Sequence, residues 1–281
     1  MRLYIFLAWE KIAPLLPTNG GRGRQWKRHR IVLNGILWKF NTGAPWRDIP
    51  ERYGSWKTCY YRFTRWQQDG TWERLLTHVQ THSDAVSEVE WIVSVDSTIV
   101  RAHQHAAGAP KLADKKGNLH FQNEALGQSR GGLTTKIHLA CDGKGRLLSV
   151  VITPGHRHDC TQLEPLLNAI RVPRRGKGRP RKRPDRLIAD RGYSYPTCRR
   201  LLVQRGIPHT IPEKRDQYER LSKKPGRPLT FDKELYAHRN VIERCINRLK
   251  QWRGIATRYE KRAVYFRAAL LIVSLMDWLK H

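Results

Sequence analysis

The 281 residues carry 53 Lys plus Arg against 24 Asp plus Glu, a formal net charge of +29. An excess this large leaves nucleic acid or an anionic membrane surface as the acidic partner. No apolar run is long enough to span a bilayer, and Leu3–Trp9 is too short for a secretory signal and has no cleavage site. The expectation is a cytosolic protein that works on DNA, with no membrane role. The five cysteines (Cys59, Cys141, Cys160, Cys198, Cys245) are scattered and form no C-x-x-C pair, which argues against a zinc ribbon or a disulfide framework.

Residues 1–88 read as a small all-α module. Ile31, Leu33, Ile36, Leu37 and Phe40 give Trp26–Phe40 an apolar face, ended by Thr42-Gly-Ala-Pro45. Ser55 is a good N-cap for a helix over Trp56–Gln67, in which Trp56, Tyr60 and Phe63 share one side. The other side shows Lys57, Thr58, Tyr61, Arg62 and Arg65. Such helices fit a helix-turn-helix with its last helix in a DNA groove, and fit equally a solvated basic face on a packing domain.

Residues 83–90 mark a boundary, beyond which the pattern turns to strands. Strands are expected at Ile92–Arg101, Thr134–Cys141, Leu147–Ile152, Leu187–Asp190 and Pro208–Ile211, with a hairpin turn at Asp142–Gly145. Helices are expected at Asp159–Ile170, Pro196–Arg205, Tyr236–Trp252 and Tyr265–Leu279, the last with the core run Ala268–Met276. Residues 89–281 therefore read as an α/β domain. Residues 102–131 form a long irregular insertion. His103 and His105, and later His156 and His158, have an H-x-H spacing that can seat a metal. His also contacts phosphates, and with no thiolate near either pair a structural metal site is the lesser reading. The run 171–184 holds Arg171, Arg174, Arg175, Lys177, Arg179, Arg181, Lys182 and Arg183 among glycines and prolines, and reads as a flexible loop that tracks phosphates. Lys223–Pro228 is a weaker repeat of it. No Walker A pattern is present, so ATP is not expected.

Asp96 lies inside the β-branched run Trp91–Val100, and Asp190 ends the apolar strand before Gly192. A carboxylate in a buried strand is costly unless neutralised. Two of them 4 Å apart would repel by about 4 kcal/mol at an effective dielectric of 20, and a divalent cation removes both costs. Tyr236, Glu243 and Lys250 recur every seven residues and share a helix face with Arg239, so one carboxylate is flanked by a phenol and two cations. On one helix alone this would be an ordinary paired surface.

Together these residues resemble a family. Asp96, Asp190 and Glu243 resemble the triad of DDE transposases, and Tyr236-x2-Arg239-x3-Glu243-x6-Lys250 resembles the signature of the IS-four/IS-five insertion-sequence group. Val95–Gly108, Gly132–His138, Ala189–Tyr193, Leu33–Leu37 and Pro45–Tyr53 look like its IS-five side. The resemblance implies a ribonuclease-H-like catalytic core preceded by the helix-turn-helix-like domain, which would bind terminal repeats. It implies two Mg2+ ions (Mn2+ as a substitute) held by Asp96, Asp190 and Glu243, which would free a 3′-OH and join it to target DNA. Tyr236, Arg239 and Lys250 would grip phosphates, and the default assembly on two DNA ends would be a homodimer in the bacterial cytosol. The alternatives are a ribonuclease-H-like nuclease without strand transfer and a non-catalytic DNA-binding regulator. Trp252 could stack on a displaced base, though a core position is the simpler role.

Overall fold

The computed structural model describes residues 9–18, 26–110, 112–113, 119–120, 124–129, 131–223 and 231–280. The first eight residues and nearly all of the Lys223–Pro228 run lie outside them.

A helical turn over residues 9–12, continued by the 3-10 turn Ala13–Leu15, precedes three longer helices among the described residues. α1 (His29–Thr42) buries Val32, Leu33, Ile36, Leu37 and Phe40 and stops at Gly43, whose φ of 73° lets its N–H reach back to Lys39 O at 2.9 Å. α2 (Trp56–Gln68) follows two single 3-10 turns and buries Cys59, Phe63 and Trp66. Ser55 stands at its N-cap, but the side chain makes no capping bond. The connection of α1 to α2 runs from Gly43 to Ser55, longer than the tight turn of a helix-turn-helix. α3 (Thr71–Ala85), not singled out in the sequence, starts where Asp69 Oδ1 accepts from Thr71 N at 3.0 Å, and buries Trp72, Leu75 and Leu76.

The sheet begins with β1 (Ile92–Ala102), which leads into the short α4 (Gln104–Ala107). β2 (Leu112–Ala113) and β3 (Leu119–His120) pair as a separate ribbon. β4 (Gly127–Ser129), β5 (Gly132–Cys141) and β6 (Leu147–Pro154) follow, then α5 (Leu163–Ala169), β7 (Arg186–Ala189), α6 (Pro196–Gln204) and β8 (His209–Thr210). β1 is antiparallel to β5, and β5 to β6, whereas β1, β7 and β8 are mutually parallel. The order β6-β5-β1-β7-β8, a three-strand meander extended by two parallel strands, is the ribonuclease-H-like arrangement. Each expected strand forms, within one or two residues at either end.

α7 (Arg215–Ser222), α8 (Lys233–Ala237), α9 (Asn240–Lys250), α10 (Arg253–Ala256), β9 (Thr257–Arg258) and α11 (Ala263–Trp278) complete the chain. The helix expected over Tyr236–Trp252 is thus divided. His238 N and Arg239 N bond three residues back, to Leu235 O and Tyr236 O, and this tighter turn separates α8 from α9. α11 is apolar nearly all round because it is enclosed, packing on α3 and on β6. Trp278 Nε1 donates to Leu147 O at 2.8 Å.

A single continuous core runs from Val32, Phe63 and Trp72 of the helices through Val93 and Leu139 of the sheet to Phe266 and Leu275. The change from helix to strand falls at 86–91, near the expected boundary, yet the helical part is packed into the rest. Within the insertion after β1, the described residues include α4, the β2–β3 ribbon and β4, which pairs with β5. The 171–184 loop is pinned at its base, where Val172 and Arg181 exchange backbone hydrogen bonds. All five cysteines are free thiols, and four of them are buried.

Candidate active site

The edge of β1 is open in its middle. On that side β7 pairs with Ile92–Val95 and β9 with Arg101–Ala102, which leaves Asp96–Val100 without a strand neighbour. α9 fills the opening: Arg239 at its start reaches Asp96, and Lys250 Nζ at its end donates to Ile99 O at 3.4 Å. The helix is held in place by its buried Val241, Ile242, Cys245 and Leu249. Arg248 anchors it further, bonding Gly145 O at 2.6 Å in the β5–β6 turn and Asp277 of α11 at 3.1 Å.

Asp96 Oδ1 accepts from Ser97 N at 2.8 Å, and Oδ2 accepts from Arg239 Nη2 at 2.6 Å. Burial pushes the Asp96 carboxyl up from its ordinary value. The Ser97 N–H and the Arg239 charge oppose that, and the negative Asp190 adds to it. Asp190 follows β7 by one residue, which brings it beside Asp96 because Val95 pairs with Ala189. Its Oδ1 accepts from Gly192 N at 2.9 Å, and a Cβ on Gly192 would come within 2.9 Å of that same oxygen. That close approach accounts for the glycine in Asp-Arg-Gly-Tyr.

Glu243 is half exposed and bonds Arg239 Nη1 at 2.7 Å. One guanidinium thus links Asp96 to Glu243, so these two carboxylates share a cationic partner. Among the described residues no three His, Cys, Asp or Glu side chains stand close enough to hold a metal. The donor set nonetheless suits a hard divalent cation. Asp96 and Asp190 are neighbouring carboxylates whose oxygens are of the kind such a cation takes, and Arg239 supplies part of the positive charge they need. Tyr236 is partly buried, its phenol pushed up by desolvation and by the nearby Asp190 and Asp96 charges against the opposing pull of Arg239.

The remaining expected residues separate by environment. Arg174, Arg175, Lys177, Arg179, Lys182 and Arg183 are exposed. Arg181 is engaged, bonding Asp185 at 2.7 Å and lying 4.2 Å over the Trp91 ring. On α2, Lys57 and Arg65 are exposed and Thr58 is half-buried, whereas Arg62 is buried, 4.1 Å over Trp26 and 2.6 Å from His29 Nδ1. Arg62 therefore secures the segment before α1 while still lining the groove beside α2. Lys57, Tyr61 and Arg65 line a groove of about 860 Å3 with Trp26 and Trp56. His103 caps α4 through His105 N at 3.2 Å, and His158 Nε2 lies 3.3 Å from the Tyr195 hydroxyl. Trp252 packs against the core.

Sequence reasoning missed two elements of the site. A cleft of about 1050 Å3 beside Asp190 is lined by Arg186, Arg191, Arg199, Arg215 and Lys233, cations dispersed in sequence and gathered by the fold. The second is Asp159, adjacent to the His156/His158 pair, whose carboxylate approaches Ser97 at 2.7 Å.

Residues 87–276 match the family described as "Transposase DDE domain", and residues 7–76 match "Putative transposase of IS4/5 family". The putative transposase for insertion sequence element IS402 of Burkholderia cepacia is 33% identical over 129 residues, 46% of this chain and 55% of that protein. The putative transposase for insertion sequence element IS6501 of Brucella ovis is 31% identical over 150 residues, 53% of this chain and 100% of that protein. The solved catalytic domain of Mos1 mariner transposase aligns over 76% of this chain and 91% of its own at 11% identity, with a TM-score of 0.26. The chain belongs to the transposase DDE domain family, and is an insertion-sequence transposase of the IS4/IS5 type.

Proposed function

We propose that the protein hydrolyses the phosphodiester at the ends of its element, frees a 3′-OH and joins it to target DNA, with Asp96, Asp190 and Glu243 as the catalytic carboxylates. The observation that carries this reading is the meeting of Asp96 and Asp190 at the open edge of β1, with Glu243 tied to Asp96 through Arg239 at 2.7 and 2.6 Å. Two Mg2+ ions, replaceable by Mn2+, would be held by these carboxylates and supply Lewis acidity to the attacking and leaving oxygens.

The chain's own residues supply alignment. Ser97 N–H and Gly192 N–H fix the two aspartates, and Arg248 fixes the helix that carries Glu243. The Arg239 fork, released from Asp96 and Glu243, suits a phosphate in bidentate fashion, and Lys250 and Tyr236 lie on the same side to grip the strand. Double-stranded terminal repeats would lie in the α2 groove, and the exposed cations of 174–183 would track phosphates without reading sequence. Joining two ends calls for two copies of the chain, hence a homodimer on DNA in the bacterial cytosol, with no ATP.

The test is incubation of the purified protein and Mg2+ with a supercoiled plasmid that carries the gene and its flanking DNA. The expected products are ends with a free 3′-OH at short inverted repeats, followed by joint molecules. Asp190→Asn should give neither while still retarding the DNA. Cutting without joining would leave a nuclease, and binding without cutting a regulator.

A further inference from the structure

We infer that Asp159 is a positioning residue of the same reaction, acting on Asp96 through Ser97; this rests on the assignment of Asp96 to the catalytic centre. Successive residues of a strand face opposite ways, so Ser97 points away from Asp96. It points to the α5 side, where Ser149 of β6 also donates its hydroxyl to Leu166 O at 2.9 Å. Both hydrogen-bond donors of Ser97 are committed. Its N–H holds Asp96 Oδ1 at 2.8 Å, and its hydroxyl is held by Asp159 Oδ1 at 2.7 Å. A carboxylate that fixes the Ser97 side chain fixes the peptide that aims Asp96.

Asp159 is itself braced. It opens the 3-10 turn Asp159–Gln162 after β6, and Lys136 Nζ lies 3.2 Å away while donating to Arg157 O at 2.9 Å. Two buried polar atoms without hydrogen-bond partners point to the same place. His138 Nδ1 is 3.6 Å from Asp159 Oδ1, and the Tyr193 hydroxyl lies in the field of Asp159, Asp96 and Asp190 together. The Asp159 side chain is 27% exposed and that of Lys136 13%, so their ion pair is partly buried. The contact with structural consequence is the charge-assisted bond to Ser97.

A double-mutant cycle in the full-length chain tests this, with two readouts: Mn2+ affinity without DNA, by electron paramagnetic resonance, and single-turnover cleavage of element-end DNA. Ser97→Ala and Asp159→Ala should each weaken Mn2+ binding and lower the cleavage rate roughly ten- to a hundredfold, the range for a hydrogen bond to a charged group. KM for DNA should stay unchanged, and the double variant should be no worse than either single one. Asp159→Asn keeps an oxygen that accepts the Ser97 hydroxyl and should retain most of both. Should Asp159→Ala fail to fold, Ser97→Ala and Asp159→Asn still decide the matter. Additive losses, or wild-type Mn2+ affinity and rate in Asp159→Ala, would overturn the inference. So would Asp159→Asn as impaired as Asp159→Ala beside a normal Ser97→Ala, which would make Asp159 a direct ligand. A wild-type protein that binds Mn2+ but cuts no DNA would sink the proposed reaction instead, and the Mn2+ cycle would still report the coupling.

Discussion

Arg239 Nη2 lies 2.6 Å from Asp96 Oδ2, and the same guanidinium places Nη1 2.7 Å from Glu243 Oε1. It occupies the charge-neutralising position that a divalent cation would take. Competition follows: Arg239→Ala should bind Mn2+ several-fold more tightly than wild type without DNA, yet cleave more slowly because the proposed phosphate contact is gone. Arg239→Lys keeps the charge but loses the fork, and should fall between the two. Isothermal titration with Mn2+ reads the first effect. Equal or weaker binding by Arg239→Ala would reject the competition.

The loop at 171–184 divides into two groups of cations with different expected effects. Replacing the exposed Arg174, Arg175, Lys177 and Arg179 by Ala should leave the melting temperature unchanged. The log–log salt dependence of DNA binding should become shallower by about 0.9 for each phosphate no longer neutralised. Arg181→Ala should do the reverse. Its side chain is spent on Trp91 and Asp185, so it should lower stability and leave the slope alone. Filter binding between low and moderate salt, beside thermal melts, separates the groups.

His138 is fully buried, its Nε2 2.9 Å from Thr153 Oγ1, and desolvation pushes its pKa down to about 4, with Asp159 opposing and Lys136 assisting. The unfolded chain takes up this proton near pH 6.5, the folded one only near 4. The neutral ring therefore contributes fully above about pH 6.5, and the contribution fades as pH falls toward 4. At about 1.4 kcal/mol per unit the difference is about 3–4 kcal/mol. His138→Gln should lose correspondingly less stability than wild type between pH 7 and 4, measured by urea unfolding. Parallel curves would remove His138 from the acid response.

Lys39 and Glu260 form a buried ion pair, with Lys39 Nζ also 4.4 Å from the centre of the Phe40 ring. Lys39→Met strands a buried carboxylate and should cost about 3–5 kcal/mol. Adding Glu260→Leu should recover most of that loss. Urea midpoints of the two variants check both statements, and a double variant as unstable as the single one would contradict them.

How much was legible before folding depended on whether the signal was local. The strands, the enclosed α11, the aspartate of β1 and the one just after β7 follow from short apolar runs, because each run's burial is set by its own side chains. Register did the rest for Asp96 and Asp190: pairing Val95 with Ala189 makes them neighbours. Periodicity failed between Tyr236 and Glu243, since a tightened turn at His238–Arg239 is invisible to seven-residue spacing. It failed again at Arg62, which a helical wheel turns outward and which Trp26, thirty-six residues earlier, covers. Asp159 was overlooked because its meaning depends on Ser97 across the sheet, a pairing that no local pattern records.

The helices that precede the sheet share its interior, from Phe63 and Trp72 to Leu139 and Phe266. They cannot swivel against it like a module on a tether. A duplex seated along α2 would consequently meet Asp96 and Asp190 at a span dictated by interlocked side chains. The molecule would act as a caliper, and the number of base pairs between the recognised sequence and the cut would be a fixed dimension of the protein.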